Sequence, residues 1–426
     1  MSAERNEGLL RHSFLLMAAT QVANVSNLLF QMVMGRALSP VQYGILSSML
    51  GVVLVVATPM EAVRTAFAHF AARLASEGRA GDVRVLVWSW VRGLTGFGVP
   101  LAVLGLVFSG PISHFFRLES RVPVIITSIM IGGCPYLPIF AGALQGIQSF
   151  GWMAVSQHGW AVVRLLTGTA LVMWIGRTAE WGLVGQTLGV CASLAMGLWG
   201  LHRALGSAPA SGERTRGVKT YFFWSLMILG GFAVLMNADI IMVKHYFEPT
   251  QAGLFARAGT IGRSIIFLPM PIALAMFPKV ASHGTVSEHN WKTLLKAVLL
   301  AGVLIVGAVA AFSLLAKWAL LLLFNDRAPT TDMIRLVRYV MWAMSPLSMV
   351  FLLMNFELAR HRFRQAVLLL PCAVVYVLGV ARWHDTVLEV AGVLAVVNLS
   401  AVVLLAAGLP WRKSERGDIA QPTPTT

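Results

Sequence analysis

The sequence predicts an all-α membrane protein of about twelve transmembrane helices in two parallel six-helix bundles. Three observations predict it. Of 426 residues, 57% are hydrophobic and only 12% charged, roughly half the charged share of a soluble domain. The apolar residues lie in long unbroken runs, as at 12–35, 297–315 and 389–409. Sequence features also recur at an interval of about half the chain.

Apolar surface on this scale has no cover in water, so its solvent is hydrocarbon. In hydrocarbon every backbone polar group is bonded internally, which leaves helices or a closed barrel. Barrel strands alternate in and out over about ten residues. The runs here do not alternate, so the spans are helices.

A crossing takes roughly 20 residues. On that rule the helices fall near 12–35, 43–68, 84–108, 122–146, 151–176, 181–203, 220–247, 252–278, 291–315, 333–358, 364–382 and 387–410. The first run is too long and too polar for a signal-peptide core and no small-residue cleavage site follows, so it reads as the first span. A further apolar stretch, 318–324, is too short to cross and reads as an extension or an interfacial segment. Segment 206–219 is rich in Ser, Pro, Gly and charge. It divides the chain into bundles at 1–205 and 220–410. The tail, 411–426, is polar and reads as disordered.

Of the 33 basic residues, 19 lie in segments on one side if the N-terminus is inside. Lys and Arg concentrate on the cytoplasmic face, so both termini are expected there. The net charge of +15 is then read as topology and attraction to anionic lipid, not to nucleic acid. Cys134, Cys191 and Cys372 all sit in apolar runs and read as small core residues.

The repeat fixes the architecture. Shifted by about 209, Pro40-Val41-Gln42-Tyr43-Gly44 falls on Pro249-Thr250-Gln251-Ala252-Gly253. Nearly the same shift puts Pro59-Met60 on Pro269-Met270, Pro135 on Pro346 and Phe140 on Phe351. Each half has an even number of spans, so the repeat is parallel, an arrangement that builds transporters with the substrate site between the halves.

At this point a family resemblance appears. Met34-Gly35-Arg36-Ala37-Leu38-Ser39-Pro40-Val41-Gln42-Tyr43-Gly44 resembles the R-x-L-S-P-x-x-Y-G connection of polysaccharide transporters and O-antigen flippases. These belong to the multidrug/oligosaccharidyl-lipid/polysaccharide (MOP) exporter superfamily. Segments Asp239–Met242, Ala252–Ala258 and Phe277–Lys279 resemble its seventh and eighth helices. The resemblance implies two six-helix bundles in a V around a central cavity, working by alternating access. It implies as cargo an oligosaccharide linked to undecaprenyl phosphate, in the bacterial inner membrane. The partners are then that lipid, the surrounding bilayer, and the polymerase and chain-length machinery of surface polysaccharide synthesis. No cofactor is implied. Two departures stand out: Lys244-His245 occupies a place where small residues are usual, and no helix follows the twelfth.

Polar residues within spans mark cavities or helix contacts. In the first helix Ser13, Thr20, Asn24, Asn27 and Gln31 recur at intervals of three, four or seven, which places them on one face. They admit two readings, a cavity lining that bonds sugar hydroxyls or interhelical hydrogen bonds. Arg164, Arg257 and Arg263, with Asn237, extend the candidate binding set, since guanidinium forks onto phosphate oxygens. The competing reading is structural ion pairing. Asp239 is expected to pair with Arg257, as a static contact or a gate, and Glu61 with Arg64 at an i,i+3 spacing. Asp239 and Glu61 are the candidate titrating groups for any ion coupling. Pro59, Pro135, Pro138, Pro269, Pro271 and Pro346 should bend their helices. Gly142/Gly146 and Gly185/Gly189 should mark close helix packing.

Other classes fit less well. A cation or drug antiporter of the same superfamily calls for acidic groups inside, and arginines outnumber them. A membrane-embedded polymerase or ligase calls for a large outer loop with paired catalytic residues. No Walker A motif, zinc-spaced His/Cys cluster or catalytic loop is visible, so the chain does not read as an enzyme.

Overall fold

The structure is a computed structural model describing residues 2–206, 219–272, 288–359 and 366–407. The interior of the expected linker and the 411–426 tail lie outside the described residues. Every regular element among the described residues is a helix.

The first half contains α1 (Ser2–Ala37), α2 (Pro40–Ala57), α3 (Glu61–Ser76), α4 (Asp82–Val107), α5 (Ser109–Phe115), α6 (Val122–Gly133), α7 (Leu137–Gly146), α8 (Phe150–Trp174) and α9 (Ala179–Leu205). The second contains α10 (Lys219–Tyr246), α11 (Pro249–Arg263), α12 (Glu288–Leu314), α13 (Ala316–Phe324), α14 (Thr331–Ala359), α15 (Leu369–Arg382) and α16 (Val387–Ala407).

Proline explains much of the segmentation. Pro40 and Pro249 stand at the first turns of α2 and α11, where a missing N–H costs nothing. Ser39 Oγ caps α2 by accepting the Gln42 N–H at 3.3 Å. Pro59 and Pro135 each lie in a 3-10 turn, which splits one span into α2 and α3 and another into α6 and α7. A 3-10 turn at Ser264–Phe267 ends α11 ahead of Pro269. Pro346 is instead carried within an unbroken α14.

The two halves pack alike. In the first, α1 lies on α8, α8 on α9, the α2–α3 span on α7, and α4 on α6. In the second, α10 lies on α15, α15 on α16, α11 on α14, and α12 on α14. These are equivalent pairs under the repeat. The repeat reaches further than the sequence suggested. The 318–324 stretch forms the short helix α13, and an unexpected short helix, α5, holds the matching place after the third span of the first half.

Eight spans among the described residues are long and apolar enough to cross a membrane. The predicted eighth and eleventh spans, which include residues outside the described ones, are not among them, nor are the first and fifth, α1 and α8. Both carry polar residues, and the two helices pack on one another. The outward surface suits lipid: Leu299, Leu300, Val303 and Val306 on α12, and Val103, Leu104 and Val107 on α4, are all exposed. Cys134 and Cys372 are buried as expected, but Cys191 is exposed. It lies on the outer side of α9, where a thiol tolerates hydrocarbon as a small apolar group does.

Both glycine pairs mark close packing. A Cβ at Gly142 would lie 2.5 Å from Arg64 O, and one at Gly146 would lie 2.4 Å from Ala71 Cβ, so α7 sits directly on α3. A Cβ at Gly185 would lie 2.4 Å from Gly168 Cα, and one at Gly189 would lie 2.6 Å from Trp160 O. The halves meet where α2 packs on α10 and α11. There a Cβ at Gly253 would come within 2.0 Å of Pro40 O, and one at Gly44 within 3.0 Å of Gly253 Cα. Gly185→Ala should therefore destabilise the protein by about 1–3 kcal/mol, the usual cost of overpacking. Gly302→Ala has nothing within 4 Å to meet and should be neutral or stabilising. Thermal unfolding of the two variants in detergent checks both.

Candidate functional site

The interior of the spans holds three arginines in three different settings. Arg263 ends α11, where a cation favours the carbonyl end of a helix. Its Nη2 donates to Asp239 Oδ1 on α10, and its Nε donates to Met236 O at 3.0 Å. Gly259, one turn earlier, leaves the space it occupies: a Cβ there would lie 2.6 Å from Arg263 Nη1. Asp239 is fully buried, and its Oδ2 has no hydrogen-bond partner among the described residues.

This pairing corrects the expected one. Arg257 does not meet Asp239. Residues 257 and 263 are six apart, so at about 100° per residue they leave α11 on different faces. Arg257 turns toward the first half. Its Nη2 donates to Gly35 O and Leu38 O at 3.4 Å each, and its guanidinium lies 5.2 Å from the Phe324 ring centroid.

Arg164 on α8 is buried without an acid partner among the described residues. Nη1 donates to Gln186 Oε1 on α9 at 2.8 Å and Nη2 to Asn27 Oδ1 on α1 at 2.6 Å. The guanidinium lies over the rings of Phe30 at 4.1 Å and Trp160 at 4.9 Å. Two amide oxygens and two aromatic faces thus take the place of a counter-ion. Arg92, on α4, is exposed.

The α1 stripe divides between two environments. Thr20 Oγ1 donates to Leu16 O at 2.8 Å and lies 3.3 Å from His158 Nε2 on α8. Gln31 Oε1 accepts the Tyr43 hydroxyl at 2.8 Å, and that hydroxyl also lies 2.8 Å from Thr260 Oγ1 on α11. Tyr43 therefore links α1, α2 and α11 across the seam. Thr20, Asn27 and Gln31 all make contacts to other helices. Asn24 stays exposed, its Nδ2 3.3 Å from Gln21 Oε1. By helical angle Asn24 shares a side of α1 with Thr20 and Gln31, Gln21 lies at the edge of that side, and Val22 and Leu29 face the other way. The side chain of Ser13 lies outside the described ones.

Asn237 is buried where α10 meets α2, and its Nδ2 returns to Ala233 O at 3.0 Å. It is part of the seam, away from open space. Glu61 and Arg64 form the expected i,i+3 pair at 2.6 Å, and Arg64 Nη1 also donates to Gln145 Oε1 at 3.0 Å. Three participants were not singled out from sequence: His158, Gln186 and Tyr43. Tyr43 had a signal, since it closes the R-x-L-S-P-x-x-Y-G segment. The others stand alone in apolar runs.

No family model matches the sequence, and no curated protein matches it. Solved structures do. The lipid II flippase MurJ in an inward closed conformation superposes with a TM-score of 0.68 at 14% identity, over 92% of this chain and 87% of that one. An inward-facing MATE-family multidrug resistance transporter of the MOP superfamily gives 0.71 at 12% identity, over 91% and 93%. An outward-facing MATE-family transporter gives 0.61 at 15%, over 93% of each. At these identities the fold is what is shared. The described residues form an all-helical, multi-pass membrane fold like that of these solved transporters.

The Arg263–Asp239 pair makes a stability prediction. Removing one partner leaves a buried charge uncompensated, at about 3–5 kcal/mol. Asp239→Leu and Arg263→Met should each lower the unfolding midpoint, and the double variant should recover most of the loss. A double-mutant cycle in detergent measures the coupling; additive losses would show that the pair does not act as a unit.

Proposed function

We propose that the chain is a flippase that moves a lipid-linked oligosaccharide, of the undecaprenyl-phosphate type, across the bacterial inner membrane by alternating access. The interior charge carries this reading. Arg164, Arg257 and Arg263 lie within the bundle, and only Arg263 makes an ion pair among the described residues. A phosphate-bearing cargo matches that imbalance, and a cationic drug does not.

The transport problem is to take a polar, anionic headgroup across about 30 Å of hydrocarbon. A passage lined by amides and guanidinium groups replaces the lost water, while the apolar tail stays in the bilayer. The halves are shut at the end bearing the 38–39 and 247–248 connections. There Arg257 reaches the carbonyls of α1's end, Tyr43 meets Thr260, and Arg36 donates to Leu322 O on α13. Toward its other end α1 exposes Gln21 and Asn24. The expected orientation makes the shut end the outer one, so the arrangement suits loading from the cytoplasm. The higher TM-score with an inward-facing than with an outward-facing transporter, 0.71 against 0.61, supports this. Flipped lipid would then be available on the outer face to polymerase and chain-length proteins.

A second reading rests on one observation. Asp239 is fully buried with one oxygen unpartnered, as a cation-coupled antiporter would require. One set of variants separates the two. On the flippase reading Asp239→Asn keeps export, and adding Arg263→Ala in that background lowers it at least tenfold, with the protein still in the membrane. Equal loss from Asp239→Asn alone would shift the chemistry to the acid. Gene deletion gives the independent check: lipid-linked oligosaccharide should accumulate on the cytoplasmic leaflet. Normal surface polysaccharide with drug hypersensitivity would sink the flippase reading.

A further inference from the structure

Lys244, near the end of α10, is 1% exposed. It makes no ion pair and no hydrogen bond within the described chain. An ammonium on a buried side chain without a counter-ion is unfavourable. The charge of Arg117, also positive, acts on it unfavourably. Arg117 follows α5 in the first half, so two cations from opposite halves converge at the shut end.

Their positions are held by a built contact. The ring of His245, next to Lys244, stacks on Phe115 at 3.9 Å with the planes 8° apart, and its Nδ1 lies 2.7 Å from Phe115 O. That contact pins the turn carrying Arg117 against the end of α10. Arg117 itself adopts a left-handed backbone with φ of 49°. Its N–H bonds to His114 O, and the Leu118 N–H bonds to Ser113 O, a helix-ending pattern in which glycine is the usual residue. Its side chain is half exposed and only loosely engaged, with Glu248 at 3.8 Å.

We propose that Lys244, with Arg117 and His245, forms an anion-receiving site at the outer end of the seam, which takes a phosphate or diphosphate group when the halves part. The inference rests on the flippase reading in one respect: it assigns this site to the exit side of the path. The anion offsets the charge that the shut state leaves uncompensated, so binding and opening favour each other. The same chemistry fits a lipid headgroup or a free phosphate.

The test uses the full chain in lipid vesicles, with two probes: a labelled polyprenyl diphosphate in the bilayer and inorganic diphosphate in the buffer. Lys244→Met should weaken binding of the effective probe at least tenfold while the unfolding midpoint stays level or rises. Lys244→Arg should bind within threefold of the unaltered chain. Whichever probe shows the loss identifies the source. Unchanged binding in Lys244→Met overturns the site, as does lost binding with a lowered unfolding midpoint, which would make Lys244 a structural prop. Flipping of lipid-linked oligosaccharide by the unaltered chain is measured in parallel. Its failure counts against the flippase reading, whereas intact flipping with Lys244-independent binding counts against this site alone.

Discussion

Hydrocarbon offers a polar side chain no hydrogen bond, so polar groups in the spans gain by pairing within the chain, and several helices are arranged around that need. The two helices with most to satisfy, α1 and α8, lie against each other. Asn27 and Gln186 close on Arg164 from either side, and Phe30 and Trp160 present ring faces to what remains of its charge. Helices with little to satisfy, such as α4 and α12, go to the rim, where Leu and Val meet lipid. The rim is thus apolar, and the interior is an apolar core that also holds these polar groups.

The seam between the halves follows a different rule. Within each half, glycines let backbones touch, as at Gly142 on α3 and Gly185 on α8. Across the seam, backbones approach closely where Pro40 and Gly44 meet Gly253 and where Gly35 meets Leu323 O, and the other ties are hydrogen bonds and the Tyr43–Phe324 and Phe115–His245 ring contacts. A hydrogen bond contributes a net ~1 kcal/mol, somewhat more when charged. A handful of such ties is enough to hold this end of the seam together. The Arg263–Asp239 ion pair lies wholly within the second half, so opening the seam need not break it.

Long-range periodicity was legible in the sequence, and so were features whose meaning is local. The helices, the parallel repeat, both glycine pairs and the Glu61–Arg64 contact follow from spacing along one chain segment. Partner choice between helices does not. Asp239 has Arg257 and Arg263 within reach of α10, and the choice depends on the rotation of α11 and on the gap Gly259 leaves. Arg164 carries no sign of Gln186 or Asn27 in its neighbourhood, because its partners are 22 and 137 residues away. The short helix α5 was missed for a related reason: its seven residues include Gly110, Pro111 and two serines, a composition that reads as a loop until its counterpart α13 is seen.

Arg164 also constrains how the chain can be assembled. A guanidinium entering the bilayer alone at mid-helix costs about 2.5–3.5 kcal/mol even on the scale for insertion through the translocon. Its offsetting groups sit on a helix made long before α8 and on one made directly after it. Threading α8 into lipid by itself would strand the charge. The favourable course is for α1 to wait beside the insertion site, receive α8 against its polar side, and release the pair only when α9 supplies Gln186. The Arg164 cluster thus ties the first, fifth and sixth spans of the first half to one another during assembly as well as in the finished bundle.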